Sequence, residues 1–296
     1  MSSLVSVCIT TFNRKELLWL TLKSILDQTY KNIEIIIVDD CSIDGTQFLV
    51  ENEILKLDPR IKYIRHTENN GLAFARNTAI FNAKGKYFTF CDDDDLLMPN
   101  YIEEFMNEAS MHDDNWSFCC SGKYKNFLGT YIETSFQYEG TLKSLIKKGF
   151  TPPVSSQFYN LLSLKKINGY NQNIKSGVDH DLWIRLAKSG VKIKYISKQL
   201  SLPNANTNQK RMTTNYEERL NGIKNSIQIW ENDLIEMYGN KFFLEFSDAY
   251  IKRERLKFFN NYLQDFNLVM AVKIKKDISL FSCLRAIIIL LTKKTL

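Results

Sequence analysis

The stretch "KYFTFCDDDDLLMP" (residues 86–99) opens with the apolar, β-favouring residues Tyr87, Phe88, Phe90 and Cys91 and ends in four consecutive acids, Asp92 to Asp95. The first half is a short apolar run of the kind a fully buried strand needs. The second half is electrostatically costly, since like charges about 4 Å apart repel by roughly 1 kcal/mol even in water. Carboxylates gathered at the end of a buried strand suit a hard divalent cation, which takes oxygen ligands and offsets their repulsion. The plainer alternative is a solvated acidic turn whose aspartates cap a helix.

The surroundings weigh against the plain alternative. Upstream, "VSVCIT" (5–10) and "IEIIIV" (33–38) read as buried strands, and "IKYIRH" (61–66) as a further strand. Helical patterns lie between them at 15–28, 47–57 and 72–83, and another follows Pro99 over 101–111, before a strand at 116–121. Continuous apolar strands alternating with helices predict a mostly parallel sheet covered on both faces. In such sheets ligands bind beyond the carboxyl ends of the strands. Four polar clusters fall at those ends: "TTFNR" (10–14), "DDCSIDG" (39–45), "HTENNG" (66–71) and the aspartates. Together they predict a binding site.

Beyond residue 121 the pattern is less regular until "VDHDLWIRLAKSG" (178–190), a short helix, and "VKIKYI" (191–196), a strand. Residues 201–215 show no apolar periodicity and read as a loop, and 216–296 read as mainly helical. The expected organisation is an α/β domain over 1–215, with the polar strand ends in 1–121 and a less regular part in 122–215, followed by a helical C-terminal extension over 216–296. The six cysteines form no C-x-x-C pair and lack the spacing of a tetrahedral metal site, which fits reduced thiols. The first residues lack the charged-then-apolar order of a secretory leader, so a cytoplasmic location is expected.

The net charge of +6 is concentrated at the end of the chain, where residues 252–296 carry ten Lys/Arg against three acids. The remainder is near neutral and no nucleic acid partner is expected. "DISLFSCLRAIIILLTKK" (277–294) is too short and too interrupted for a bilayer span, which needs about 20 apolar residues. An interfacial helix, giving peripheral contact with the inner face of a membrane, fits its basic flanks. The alternative is a helix packed on the catalytic domain or on a second subunit of a homo-oligomer.

The segments "VSVCITTFNRKELLWLTLKSILDQTYKNIEIIIVDDCSIDGT" (5–46), "NNGLAFARNTAIFNAKGKYFTFCDDDD" (69–95) and "VDHDLWIRLA" (178–187) resemble the inverting glycosyltransferases of family 2 in order and spacing. The resemblance covers about residues 4–200. It implies an α/β chain with the GT-A fold, a Rossmann-like, mostly parallel sheet flanked by helices. It also implies transfer of a sugar from a nucleoside diphosphate donor, commonly UDP, to a hydroxyl of a glycan or lipid-linked acceptor, with Mn²⁺ or Mg²⁺.

Carried over residue by residue, the resemblance places Thr10, Phe12 and Arg14 at the nucleoside, with Asp40 accepting from the base and Asp39 beside it. Gly71, Arg76 and Asn77 fall near the donor phosphates or sugar. The D-x-D motif maps onto Asp92, Asp93 and Asp94. Asp94 is then the main metal ligand, Asp92 contacts the ribose or the metal, Asp93 lies near the donor, and Asp95 caps the following helix or orients its neighbours. Asp179 takes the role of the catalytic base, with Asp181 a helix cap and His180 facing acceptor or solvent. Two departures stand out. Val178 occupies the position of the family's usual Glu, and no histidine follows His180 to act as the late metal ligand many relatives have. Two other classes remain open at this point, a Mg²⁺ phosphohydrolase and a non-catalytic nucleotide- or sugar-binding module. "DDDDLL" lacks the D-x-D-x-T/V pattern of the first, and the second has no need of Asp179.

Overall fold

The computed structural model describes residues 2–125, 131–133, 139–141, 146, 152–203 and 216–264. Four of the predicted strands, β1 (Val5–Thr11), β2 (Ile33–Asp39), β3 (Ile61–Arg65) and β4 (Tyr87–Asp92), lie parallel in the order β3-β2-β1-β4. Their register sets Thr10 beside both Val38 and Asp92, and Thr11 beside Asp39, so the polar strand ends share one edge. The intervening helices are α1 (Lys15–Leu26) and α4 (Leu72–Asn82). Between β2 and β3 the helical segment is continuous but not uniform: α2 (Thr46–Leu49) passes through a π-helical stretch (Val50–Ile54) into α3 (Leu55–Leu57).

The sheet then becomes mixed. The short β5 (Leu96–Leu97) follows the acids, and α5 (Tyr101–Ala109) leads to β6 (Trp116–Lys125). Two further short strands, β7 (Tyr131–Glu133) and β8 (Glu139–Thr141), pair antiparallel with β6 and with β10 (Lys192–Leu202). β9 (Gln157–Asn160) inserts antiparallel between β4 and β6 and leads into α6 (Leu161–Lys166), while β10 runs parallel to β6. The mostly parallel sheet is therefore parallel in its β3-β2-β1-β4 half, with antiparallel strands beyond β4. β10 also extends to Leu202, past the predicted end at 196.

Strand alternation sends successive side chains to opposite faces. Val5, Val7, Ile9, Ile35 and Ile37 pack with Leu18, Leu22 and Phe105 from α1 and α5. Cys8, Ile36, Val38, Phe88 and Phe90 pack on the other face with Ala75 and Ala79 of α4 and with Leu182 and Trp183 of α7 (Val178–Lys188). Covering both faces explains why the strands read as continuous apolar runs rather than alternating ones.

The chain divides into two compact units, one of residues 1–174 and 178–209, the other of 175–177 and 210–296. The second contains α8 (Tyr216–Tyr238) and α9 (Asn240–Gln264), where Trp230 meets Tyr250 edge-on at 5.8 Å and Ser226 Oγ donates to the Ser176 carbonyl at 2.7 Å. No helix among the described residues is long and apolar enough to cross a membrane. The interfacial-helix expectation for 277–294 falls outside the described residues, as does most of the loop at 201–215.

Candidate active site

The site begins with the turn that ends β4. Asp95 N–H donates to the Asp92 carbonyl at 3.0 Å, folding the four acids back on themselves. The expected role of Asp95 as a cap is not realised, because the N-cap of α5 is Asn100 and β5 intervenes. Instead, ligand oxygens of Asp92, Asp94 and Asp95 lie within 4.8 Å of one another. This is an all-oxygen set of the kind hard divalent ions take, and it fits Mn²⁺ or Mg²⁺.

Two arginines of the chain itself answer much of the repulsion. Arg14, just beyond β1, donates to Asp93 at 2.9 Å and lies 3.5 Å from Asp94. Arg76, on α4 and only 2% exposed, donates to Asp92 at 2.9 Å and to Asp179 at 2.7 Å. Its guanidinium also lies over the rings of Phe90 and Tyr170, 5.4 and 5.2 Å from their centroids. Burial works against that charge, yet the Tyr170 phenol, Asp179 and Asp92 outweigh it and hold Arg76 protonated.

Burial raises the Asp92 carboxyl, with Asp94 adding to the effect and Arg76 opposing it. Asp93 is pushed up to about 6 because burial outweighs Arg14 and the 2.8 Å hydrogen bond from Thr11. A carboxyl raised from 3.8 to about 6 contributes stability that is complete below pH 3.8 and lost as the pH climbs through 6. In metal-free buffer, urea unfolding should show wild type losing stability relative to Asp93→Asn between pH 4 and 7, by up to roughly 3 kcal/mol. Parallel pH profiles for the two proteins would contradict this.

Asp179 sits in the first turn of α7 with its side chain about one-third exposed, at 35%. Besides Arg76, it accepts from the Tyr170 hydroxyl at 3.1 Å, and both bonds fall on Oδ1. Tyr170 is held in turn by Asn77, whose amide accepts from the Tyr170 N–H at 2.7 Å and donates to its carbonyl at 2.8 Å. Asn77 therefore faces Tyr170 rather than a donor sugar. Gly169 is required here: its φ is +62°, and a Cβ would lie 2.3 Å from Asn77 Oδ1. Asp181 is a structural residue, buried and paired with Arg185 at 2.7 Å.

The β2 acids are turned inward. Asp39 is fully buried, accepting from Ser42 N–H at 2.8 Å and Tyr63 OH at 2.6 Å. Asp40 accepts from Asn70 and Gly71 N–H at 3.0 and 2.7 Å and lies 2.8 Å from His66 Nδ1. Gly71 adopts a φ of +86° at the start of α4, which gives its N–H to Asp40. These acids fix the loops around the site. The loops also lace to each other, Asn13 N–H to Ser42 and Lys15 N–H to Asp44, at 2.9 and 3.0 Å. Phe12 is 43% exposed rather than packed in the core, and Thr10 is buried beside Asp92. Tyr170 and Thr11 are the site residues that sequence reasoning did not single out.

A mixed sheet flanked by helices, with acids and a helix-borne aspartate at its strand ends, is the GT-A architecture of nucleotide-sugar glycosyltransferases. The family model for Glycosyl transferase family 2 matches residues 6–167, more than half of the chain, and the chain belongs to that family. It is 38% identical over 201 residues to an uncharacterized glycosyltransferase of Rickettsia conorii, covering 67% of this chain and 32% of that protein. The chain thus spans about a third of the length of that relative. With WfaP of Escherichia coli, a UDP-Glc:alpha-D-GlcNAc-diphosphoundecaprenol beta-1,3-glucosyltransferase, it shares 39% identity over 141 residues, 48% of this chain and 51% of WfaP. Among solved structures, TarS of S. aureus in complex with UDP-GlcNAc aligns with a TM-score of 0.64 at 20% identity, covering 87% of this chain and 72% of TarS. The mannosyltransferase PcManGT of Pyrobaculum calidifontis, in complex with GDP-Man and Mn²⁺, aligns at 0.60 and 18% identity, over 86% of this chain and 71% of that one. At such identities these two likenesses establish the fold.

Proposed function

We propose that this glycosyltransferase moves a sugar from a UDP-sugar to a hydroxyl of a glycan or lipid-linked acceptor, with inversion, in the synthesis of a surface polysaccharide or glycoconjugate. The observation that carries the reading is the placement of Asp92 and Asp179 on one buried guanidinium, at 2.9 and 2.7 Å. That arrangement sets a donor-side acid and a base candidate across a single fixed cation. The names of WfaP and of the TarS complex support a uridine nucleotide, and the name of WfaP a lipid diphosphate acceptor.

Inversion in one displacement needs a base on the face of the sugar opposite the leaving diphosphate. Asp179 suits this role, since Arg76 and Tyr170 both engage Oδ1 and Oδ2 is the oxygen that can take the acceptor proton. As that proton leaves, the acceptor oxygen bonds to the anomeric carbon and the bond to the diphosphate breaks. Phe12, exposed at the rim, offers a ring face to the base, and Arg14 places positive charge beside the acids that face the diphosphate. Asp94, with Asp92 and Asp95, would hold Mn²⁺ or Mg²⁺, which when bound stabilises negative charge on the leaving diphosphate.

A panel of nucleotide sugars tests the reading. With Mn²⁺ present, UDP-sugars are expected to release UDP slowly in the absence of acceptor, and EDTA is expected to stop the release. Release indifferent to EDTA, or confined to other nucleotides, would overturn the corresponding part of the proposal.

A further inference from the structure

A groove of about 560 Å³, open to solvent, includes Tyr170 in its lining. Its size is within the range of about 300–1,000 Å³ typical of ligand clefts. It is lined by Phe81 of α4, by the amide-bearing residues Asn168, Asn171, Gln172 and Asn173, and by Arg185 of α7. Tyr170 and Asn77 form its inner wall.

The lining has a specific chemistry. Primary amides carry both donors and acceptors, which matches a hydroxyl, itself both donor and acceptor. Among the described residues, no hydrogen bond engages the side-chain amides of Asn168, Gln172 or Asn173. Phe81 leaves 52% of its surface exposed, a large apolar face for an aromatic residue. The charge of Arg185 is already answered, since its Nε donates to Asp181 at 2.8 Å, its Nη1 donates to the Ile167 carbonyl at 2.7 Å, and its Nη2 lies 2.7 Å from the Asp181 carboxylate. The groove therefore offers hydrogen bonds and a ring face with no net charge, which suits a neutral polyhydroxylated ring with one apolar face.

The backbone that carries these amides is held in place. Asn77 clamps both backbone groups of Tyr170, and the Asn168 and Gly169 N–H groups cap α6 through the Lys165 and Leu164 carbonyls at 3.0 and 2.9 Å. Asn171 further ties Asn173 N–H at 3.0 Å. A loop fixed before binding loses little entropy when a ligand arrives.

We infer that the groove formed by Phe81 and the amides of residues 168–173 is an accessory subsite for a neutral pyranose saccharide, the part of the acceptor glycan away from the reacting hydroxyl. The inference rests on the reading that the acceptor is a glycan. The link to the chemistry is Tyr170, a residue of the groove lining whose hydroxyl donates to Asp179 at 3.1 Å.

Saturation-transfer NMR on the full chain, with cellohexaose, maltohexaose and chitohexaose as probes, tests this. At least one probe is expected to receive saturation from wild type, and the transfer is expected to fall at least threefold in Phe81→Ala and in the double variant Gln172→Ala, Asn173→Ala. These residues are exposed, so the fold tolerates their loss, and UDP release from the donor should proceed at the wild-type rate in both variants. Saturation of none of the probes, or saturation unchanged in both variants, overturns the subsite. UDP release without saccharide binding would remove the groove alone, whereas absence of UDP release from wild type would remove the transfer reading itself.

Discussion

Asp179→Asn is expected to bind UDP as tightly as wild type and to transfer sugar about a thousandfold more slowly, within the range general bases contribute. The substitution keeps the shape of the side chain and an acceptor oxygen for Arg76 Nη1 and the Tyr170 hydroxyl, so the surrounding network survives. What it removes is the ability to take a proton from the acceptor hydroxyl. Donor binding, proposed to rest on the β1 and β4 ends, should be unaffected. Titration calorimetry with UDP and a coupled assay of transfer separate the two effects. Transfer at the wild-type rate would eliminate Asp179 as the base.

Arg76→Met is expected to lower stability by about 2–3 kcal/mol in urea unfolding. The guanidinium is 2% exposed and bridges two carboxylates, so its loss leaves Asp92 and Asp179 facing each other without a cation. Removing one partner of a fully buried pair costs about 3–5 kcal/mol; here the acids are 37% and 35% exposed, and water screens part of the penalty. Arg76→Lys should fall between wild type and Arg76→Met. A single ammonium keeps the charge but cannot reach both acids with the planar fork that Arg presents. Unchanged stability in Arg76→Met would show that the bridge holds nothing together.

The sequence revealed the parallel half of the sheet and the polar edge, because the buried strands β1, β2 and β4, of six to seven residues, leave largely apolar runs. β9, with four residues, and β5, with two, are too short to carry a period, and their placement comes from pairing with strands distant in sequence. The acids at 92–95 were legible as a cluster, but their compensation by Arg14 and Arg76 was not, since those partners lie 79 and 16 residues away. The same limit hid Tyr170, which nothing local marks and which Asn77 holds across 93 residues. Asp39 and Asp40 show the converse. A "VDD" at a strand end identifies acids near a site, and only the loop hydrogen bonds reveal that these two point into the protein. Val178 stands where the resemblance implies an acidic neighbour of Asp179, and Tyr170 and Arg76 supply the polar partners of Asp179.

The aspartates closing β4 are proposed to bind the diphosphate of a nucleotide through a shared divalent ion. Calorimetry with UDP, with and without Mn²⁺, on wild type and Asp94→Ala measures it most directly. Wild type is expected to bind UDP only when Mn²⁺ is present, and Asp94→Ala is expected not to bind it under either condition. Equal UDP affinity in the two proteins, or wild-type affinity indifferent to Mn²⁺, would contradict it.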